Sequence, residues 1–180
     1  MRTNSCTYNG FALVRVARSS ADEVNPTVPF FGGPTKVDRS GTEAGEQVFS
    51  YGDSSIRGGA EPLSPKFGLS LGDTGGSWSH TVSTLTPGIP GDSGSGFLDD
   101  QGEAIGVLST LNIAPTPASN GVGDLGRELD HAQAHSGLDR LRLVPGTREF
   151  SPLGHPGPPR APRTDPLSAL ASTQRPTMSA

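Results

Sequence analysis

The sequence predicts an all-β fold with one C-terminal helix. Glycine and proline are abundant, with 25 Gly and 17 Pro among 180 residues, and both are poor residues for helix interiors. Short apolar and β-branched runs alternate with turns rich in Gly, Ser, Asp and Pro, which is typical of a β-barrel or a sandwich. Only one segment, near the C-terminal end, repeats its apolar residues at helical spacing.

Five predicted strands follow one another between residues 46 and 111. They are Glu46–Tyr51, Phe67–Leu71, Trp78–Leu85, Gly94–Leu98 and Ala104–Leu111. The last two form a predicted hairpin, because residues 99–103 are rich in turn-forming Asp and Gly. Two further strands are predicted outside this block, Phe11–Val16 before it and Leu141–Val144 after it.

The single predicted helix begins near residue 120. Its apolar residues recur at three- and four-residue spacing and therefore share one face; they are Val122, Leu125, Leu129 and Ala132. Asn120 or Gly121 is the expected N-cap, and Gly137 is the expected stop. Asp124 and Glu128 lie toward the positive N-terminal end of this helix.

Composition and motifs argue against several classes of ligand. The net charge of −4 gives no reason to expect nucleic acid, and no apolar run approaches the eighteen or so residues of a membrane span. Gly121–Gly126 matches a dinucleotide-binding pattern but is preceded by a proline-bearing loop rather than a strand. His131 and His135 have metal-binding spacing but no identifiable third ligand. We therefore expect no cofactor and no metal.

The stretch Thr86–Leu98 contains the motif Gly-Asp-Ser-Gly. Taken alone, these four residues favour a plain polar turn over a catalytic motif, because the chain is so rich in Gly and Ser. Their context is more informative, because a predicted strand precedes them and a predicted hairpin with the arm Ile105–Ser109 follows them. This arrangement resembles that of the chymotrypsin-fold serine peptidases of the secreted bacterial type. The resemblance covers about residues 6–150 and extends to Asn9–Val16, Trp78–Val82 and the Asn120–Leu125 stretch.

The resemblance implies a role for each residue of the motif. Ser93 stands at the position of the nucleophile, and the backbone N–H groups of Gly91 and Ser93 at that of the oxyanion hole. Asp92 would be buried and paired, and would hold the loop in shape. Gly94 would permit close packing behind the nucleophile.

The same resemblance implies a substrate and a specificity pocket. The substrate would be a polypeptide. Pro87 stands at the base of the primary specificity pocket, and Ser109 begins the strand that lines the substrate groove. Neither Pro87 nor any other residue from Thr84 to Pro90 is acidic, so we expect apolar or small side chains to be preferred over basic ones.

Two departures from the family pattern bear on activity. Gly10 stands where the catalytic aspartate is expected, and no histidine precedes it. Because a serine without a base is a weak nucleophile, we expect a peptidase homologue that is inactive in this form. The alternatives are a non-catalytic peptide-binding module and a fragment that does not fold alone. Cys6, the only cysteine, would be either an unpaired thiol or half of a disulfide to an absent segment.

The resemblance also predicts the organisation of the chain. Residues 1–24 would be a remnant of a first barrel and residues 25–35 a connector. Residues 36–150 would form a largely complete second barrel with its helix and last strand, and the proline-rich residues 151–180 a disordered tail. Full-length relatives would be secreted, although the chain as given shows no signal peptide.

Overall fold

The structure, a computed structural model, contains a closed six-stranded antiparallel barrel followed by one α-helix. It describes residues 10–74, 76, 78–113, 116–138 and 140–155. The strand order around the barrel is β1-β2-β3-β6-β5-β4. The strands are β1 Gln47–Tyr51, β2 Pro65–Thr74, β3 Ser79–Thr84, β4 Gly96–Leu98, β5 Ala104–Leu111 and β6 Asn120–Asp124, and the helix α1 spans Leu125–His135.

All five strands predicted between residues 46 and 111 are present, with their ends shifted by a few residues. The predicted hairpin is confirmed, since β4 pairs with β5 through Phe97 opposite Gly106. Pairing of β1 with β4 closes the barrel, with Phe49 opposite Leu98. The predicted class of a β fold with a barrel and one C-terminal helix is therefore correct.

Two apolar clusters stabilise this architecture. The first fills the barrel and consists of Val48, Val82, Phe97, Ile105, Leu108 and Val122. The second lies between the barrel, the helix and the segments that flank them, and its buried members are Phe31, Phe49, Leu98, Ala104 and Leu125. Phe49 makes edge-to-face contacts with Phe31 and with Phe150, each at a ring separation of 5.3 Å. Residues 25–35 and 140–155 thus supply aromatic rings to the outer core.

Two predicted strands, Phe11–Val16 and Leu141–Val144, are wrong. Neither segment has strand structure. The six strands of the closed barrel pair with one another, and neither segment is among their partners. Phe11 instead packs against the second apolar cluster, while Val14 is 85% exposed.

The start of the predicted helix is also wrong. Residues Asn120–Asp124 form β6, and Val122 is buried inside the barrel rather than on a helix face. The N-cap is Asp124, whose carboxylate accepts a hydrogen bond of 2.7 Å from the Arg127 N–H. Gly137, with φ of +71°, lies two residues after the helix end, as a stop signal should. Among the described residues, no helix combines the length and the hydropathy that a membrane crossing needs.

The predicted tail needs a correction at its beginning. Residues 151–155 are held against the connector, because the Ser151 N–H donates to the Phe31 carbonyl and the His155 N–H to the Phe30 carbonyl. Residues 156–180, where the rest of the predicted tail falls, lie outside the described residues. The same is true of Cys6 and of the other residues from 1 to 9.

Candidate functional site around Ser93

Ser93 lies in an exposed turn between β3 and β4, at the side of a cleft of about 580 Å³. The cleft is lined by small and polar residues from three segments of the chain, namely Pro29, Tyr51, Asp53, Gly91, Ser93, Gly94 and Ser95. Tyr51 ends β1, and Asp53 follows it two residues later. Neither was singled out in the sequence, because only the closure of the barrel brings β1 beside the Ser93 turn.

Backbone hydrogen bonds fix the Ser93 turn on both sides. The Asp92 N–H donates to the Ile89 carbonyl at 2.9 Å, and the Ser95 N–H donates to the Asp92 carbonyl at 3.0 Å. The turn is also bound to β5, since the Gly94 N–H donates to the Leu108 carbonyl at 2.8 Å and the Leu108 N–H donates to Ser95. These bonds place the nucleophile candidate directly beside the strand that carries Ser109.

Two N–H groups of this turn remain available. Within the described part of the chain, neither the Gly91 N–H nor the Ser93 N–H donates to a protein acceptor. Both residues are exposed and line the cleft. Gly91 has φ of +98°, a conformation that residues with a side chain rarely adopt. Unpaired backbone N–H groups are the donors from which oxyanion holes are built.

Asp92 is the buried anchor of the turn, as the resemblance implies. Its side chain is 0% exposed and accepts hydrogen bonds of 2.7 and 2.6 Å from the two terminal nitrogens of Arg57. Lys66 Nζ lies 3.2 Å from the same carboxylate. The backbone N–H groups of Ser54 and Ile89 also donate to it, at 3.0 and 3.1 Å.

These donors determine the ionisation of Asp92. Burial by itself would raise its pKa, but the hydrogen bonds from Arg57, the Ile89 N–H and Lys66 outweigh burial and hold the pKa at about 2. Burial lowers the pKa of Lys66 despite its contact with Asp92. Arg57 is therefore a better partner for the Asp92 carboxylate than Lys66 is, because its planar guanidinium donates to both carboxylate oxygens.

The ion-pair cluster of Asp92, Arg57 and Lys66 depends on a close backbone approach. A Cβ added at Gly52 would collide with the Asp92 carboxylate, so only glycine fits at that position. Arg57 and Lys66 lie 35 and 26 positions before Asp92 in the sequence. No local sequence signal distinguishes them from surface cations, and the sequence analysis missed both.

Neither of the two predicted specificity residues lines the cleft. The Pro87 carbonyl accepts a hydrogen bond from Arg57 at 3.2 Å. The Ser109 hydroxyl donates to the Gly121 carbonyl in β6. Between them, the buried side chain of Asn120 bonds both the N–H and the carbonyl of Gly88 and also reaches the Thr110 carbonyl. Asn120, predicted as a helix cap, is instead the bridge between the 86–90 loop and β5.

Gly10 lies beside Ser109. The resemblance implies a catalytic aspartate at the sequence position that Gly10 occupies. A Cβ added at Gly10 would come within 2.7 Å of the Ser109 Cβ, so the Ser109 side chain lies directly against Gly10. The structure thus shows which neighbour a side chain at position 10 would meet.

All four histidines of the sequence fall within the described residues, and none of them lines the cleft. His131 and His135 stack on each other on the helix at a ring separation of 4.2 Å. The His155 ring contacts the Glu149 carbonyl. Ser93 therefore has no histidine of this chain beside it in the cleft to act as its base.

His80 lies on β3, as expected, but it is fully buried in a polar cluster. Its Nδ1 is 2.7 Å from an Asp73 carboxylate oxygen and its Nε2 is 3.2 Å from an Asp124 oxygen. Burial would lower the pKa of His80, but hydrogen bonding to Asp124 and the charges of both carboxylates raise it. Despite these carboxylates, the described residues contain no group of three or more side chains placed to hold a metal ion.

Comparison with known proteins assigns no family to this geometry. No protein-family model matches the chain, and no curated protein matches it in sequence. The resemblance to chymotrypsin-fold peptidases therefore depends on the residues of this sequence alone.

Proposed function

We propose that this chain is a serine-endopeptidase homologue in which the Ser93 turn is the nucleophile and oxyanion site. The observation that carries the proposal is the pair of unpaired N–H groups of Gly91 and Ser93 beside an exposed hydroxyl. The buried Asp92 cluster supports it, because four donors hold the turn in this shape before any ligand arrives. The proposed substrate class is a polypeptide, and the group that would be transferred to the Ser93 oxygen is the acyl group of the cleaved peptide bond.

The form described here is proposed to be catalytically silent. With no histidine in the cleft, Ser93 lacks an imidazole base to accept its proton, and a serine hydroxyl at its ordinary pKa attacks slowly. We expect peptide hydrolysis at or near background. A turnover above ~1 s⁻¹, which is typical of working enzymes, that disappears in Ser93→Ala would contradict this part of the proposal.

A peptide boronic acid tests the site without requiring a base. The boron atom accepts the serine oxygen to form a tetrahedral anionic adduct, the hydroxyl proton passes to solvent, and one of the boron hydroxyls can occupy an oxyanion hole. We expect a tetrahedral ¹¹B resonance with the wild-type chain and with Ser95→Ala, which alters another cleft serine. The resonance should be absent with Ser93→Ala. Its absence from the wild-type chain at millimolar probe, or its persistence in Ser93→Ala, would overturn the assignment.

A second candidate is a peptide-binding module that retains the site without chemistry. The same two unpaired N–H groups favour it, because they are suited to the carboxylate at the end of a cleaved peptide. This module should bind peptides with a free C-terminal carboxylate more tightly than their C-terminal amides. Equal affinity for both forms, measured by titration calorimetry, would rule it out.

A further inference from the structure

The C-terminal helix carries a buried carboxyl group that the Ser93 site does not use. Glu128, in the first turn of α1, is 0% exposed. Neither of its carboxyl oxygens has a hydrogen-bond partner among the described residues. The carboxyl lies against Gly123 of β6, where an added Cβ would collide with it. A carboxylate buried without donors is much more costly than a neutral carboxyl in the same place.

The barrel elements around Glu128 place two ionisable groups near it. Asp124, at the end of β6, repels a negative charge on Glu128, and His80 on β3 attracts one. His80 is already engaged by Asp124 and by Asp73 of β2. Strand β5, which also contacts the helix, spans Ala104–Leu111 and contains no ionisable side chain.

The other charged groups of the helix and of the adjoining loop are engaged elsewhere. Arg127 donates its backbone N–H to Asp124, and its charge acts on that carboxylate. Asp130 pairs with Arg39 at the surface, with an N–O distance of 2.9 Å. His131 contacts Trp78 rather than Glu128. None of these groups offers Glu128 a hydrogen bond.

We propose that Glu128 is a protonation latch: as a neutral acid it seats α1 on the barrel, and loss of its proton loosens the helix. The helix brings Leu125 and Leu129 into the second apolar cluster, so a loosened helix uncovers that cluster. This inference does not depend on Ser93, since no residue of the latch lines the cleft.

The direction of the pH effect follows from the ionisation of Glu128. Burial first, and then the charge of Asp124, raise its pKa from 4.5 to about 7. The folded chain therefore binds this proton more tightly than the unfolded chain does. The contribution to stability is complete below about pH 4.5 and is lost as pH rises to about 7. Between pH 5 and pH 8 the folding equilibrium constant should fall roughly 50- to 100-fold.

The test uses Trp78, the only tryptophan of the chain, as a reporter of helix docking. Its ring lies 6.0 Å from the His131 ring on α1. Urea unfolding followed by Trp78 emission at pH 5 and pH 8 gives the folding equilibrium constant at each pH. We expect the wild-type chain to show the 50- to 100-fold loss, and Glu128→Met to lose most of this pH dependence. His80 titrates in the same cluster and is present in both proteins, so the difference between them reports the loss of Glu128 together with its interaction with His80.

Two matched variants complete the test. Asp130→Asn removes an exposed carboxylate from the same helix and should keep the wild-type pH dependence. His131→Gln removes the ring that contacts Trp78 and should also keep the wild-type pH dependence. If Glu128→Met is too unstable to measure, Glu128→Gln removes the same charge with little change of shape. An unchanged pH dependence in whichever Glu128 variant is measured would overturn the latch.

Discussion

Asp92 and Glu128 are both fully buried carboxyl groups, yet the protein surrounds them in opposite ways. Asp92 accepts hydrogen bonds from Arg57, Lys66 and two backbone N–H groups, and its pKa is about 2. Glu128 accepts none, and its pKa is about 7. Burial raises the pKa of both groups. The donors around Asp92 reverse this effect, whereas at Glu128, which has no donors, the charge of Asp124 adds to it. Asp92, in the Ser93 turn, is surrounded by hydrogen-bond donors. Glu128, in the helix α1, has none among the described residues.

The largest expected effect on stability comes from removing the carboxylate of Asp92, the buried group that has hydrogen-bond donors. Asp92→Ala leaves Arg57 and Lys66 buried with no counter-charge, since their side chains are only 7% and 0% exposed. We expect a loss of about 3–5 kcal/mol in the free energy of unfolding. Urea unfolding at pH 6 measures it.

Asp130→Ala is the control for this variant. This substitution breaks the ion pair between Asp130 and Arg39. Because the side chains of Arg39 and Asp130 are 57% and 68% exposed, it should leave stability close to that of the wild type. Equal losses of unfolding free energy in Asp92→Ala and Asp130→Ala would show that the buried ion-pair cluster contributes no more to stability than the surface ion pair.

A second effect separates the two carboxyl groups by their pH ranges. The pKa of Asp92 is depressed from 3.8 to about 2, so its contribution to stability is present above about pH 4 and is lost as pH falls toward 2. The shift corresponds to about 2–3 kcal/mol. Glu128 acts with the opposite sign and between pH 4.5 and 7.

Chemical unfolding from pH 2 to pH 8 should therefore show greatest stability near pH 4–5. Glu128→Met should lose most of the decline on the basic side and keep the acid side. A profile that rises steadily from pH 5 to pH 8 would be incompatible with the account of Glu128.

The smallest expected effect concerns Lys66. Burial opposes its charge, and Arg57 keeps both of its hydrogen bonds to Asp92 when Lys66 is absent. Lys66→Met preserves side-chain length and removes a buried cation, a replacement that is often close to neutral. We expect a change within about 1 kcal/mol, together with a rise in the Asp92 pKa. A loss as large as that of Asp92→Ala would show that Lys66, not Arg57, is the main partner.

The β4–β5 hairpin and the position of the Ser93 turn could be predicted from sequence because their signals are local. Apolar runs, turn residues and the Gly-Asp-Ser-Gly motif all lie within residues 86–111. The burial of Asp92 was also implied by the resemblance. Its partners were not, because Arg57 and Lys66 meet it only after β1 and β2 have paired with their neighbours in the barrel.

Strand β6 could not be recognised from its pattern. All five of its residues are buried, between β3 and β5, so no alternation of polar and apolar residues marks it. Its two glycines weaken any strand signal, and the spacing of Val122 to Leu125 coincides with that of a helix. Glu128 was predicted only as a residue near the positive end of the helix, because nothing in its sequence neighbours indicates that it is buried.

The most direct measurement is the titration of the Asp92 and Glu128 carboxyl carbons by ¹³C NMR in the intact chain. The account predicts that Asp92 titrates at about 2 and Glu128 at about 7. Asp92→Asn and Glu128→Gln assign the two resonances, since each removes one titrating group. Carboxyl carbons that both titrate near pH 4, the ordinary range for exposed groups, would contradict the central claim that hydrogen-bond donors set these two buried carboxyl groups apart.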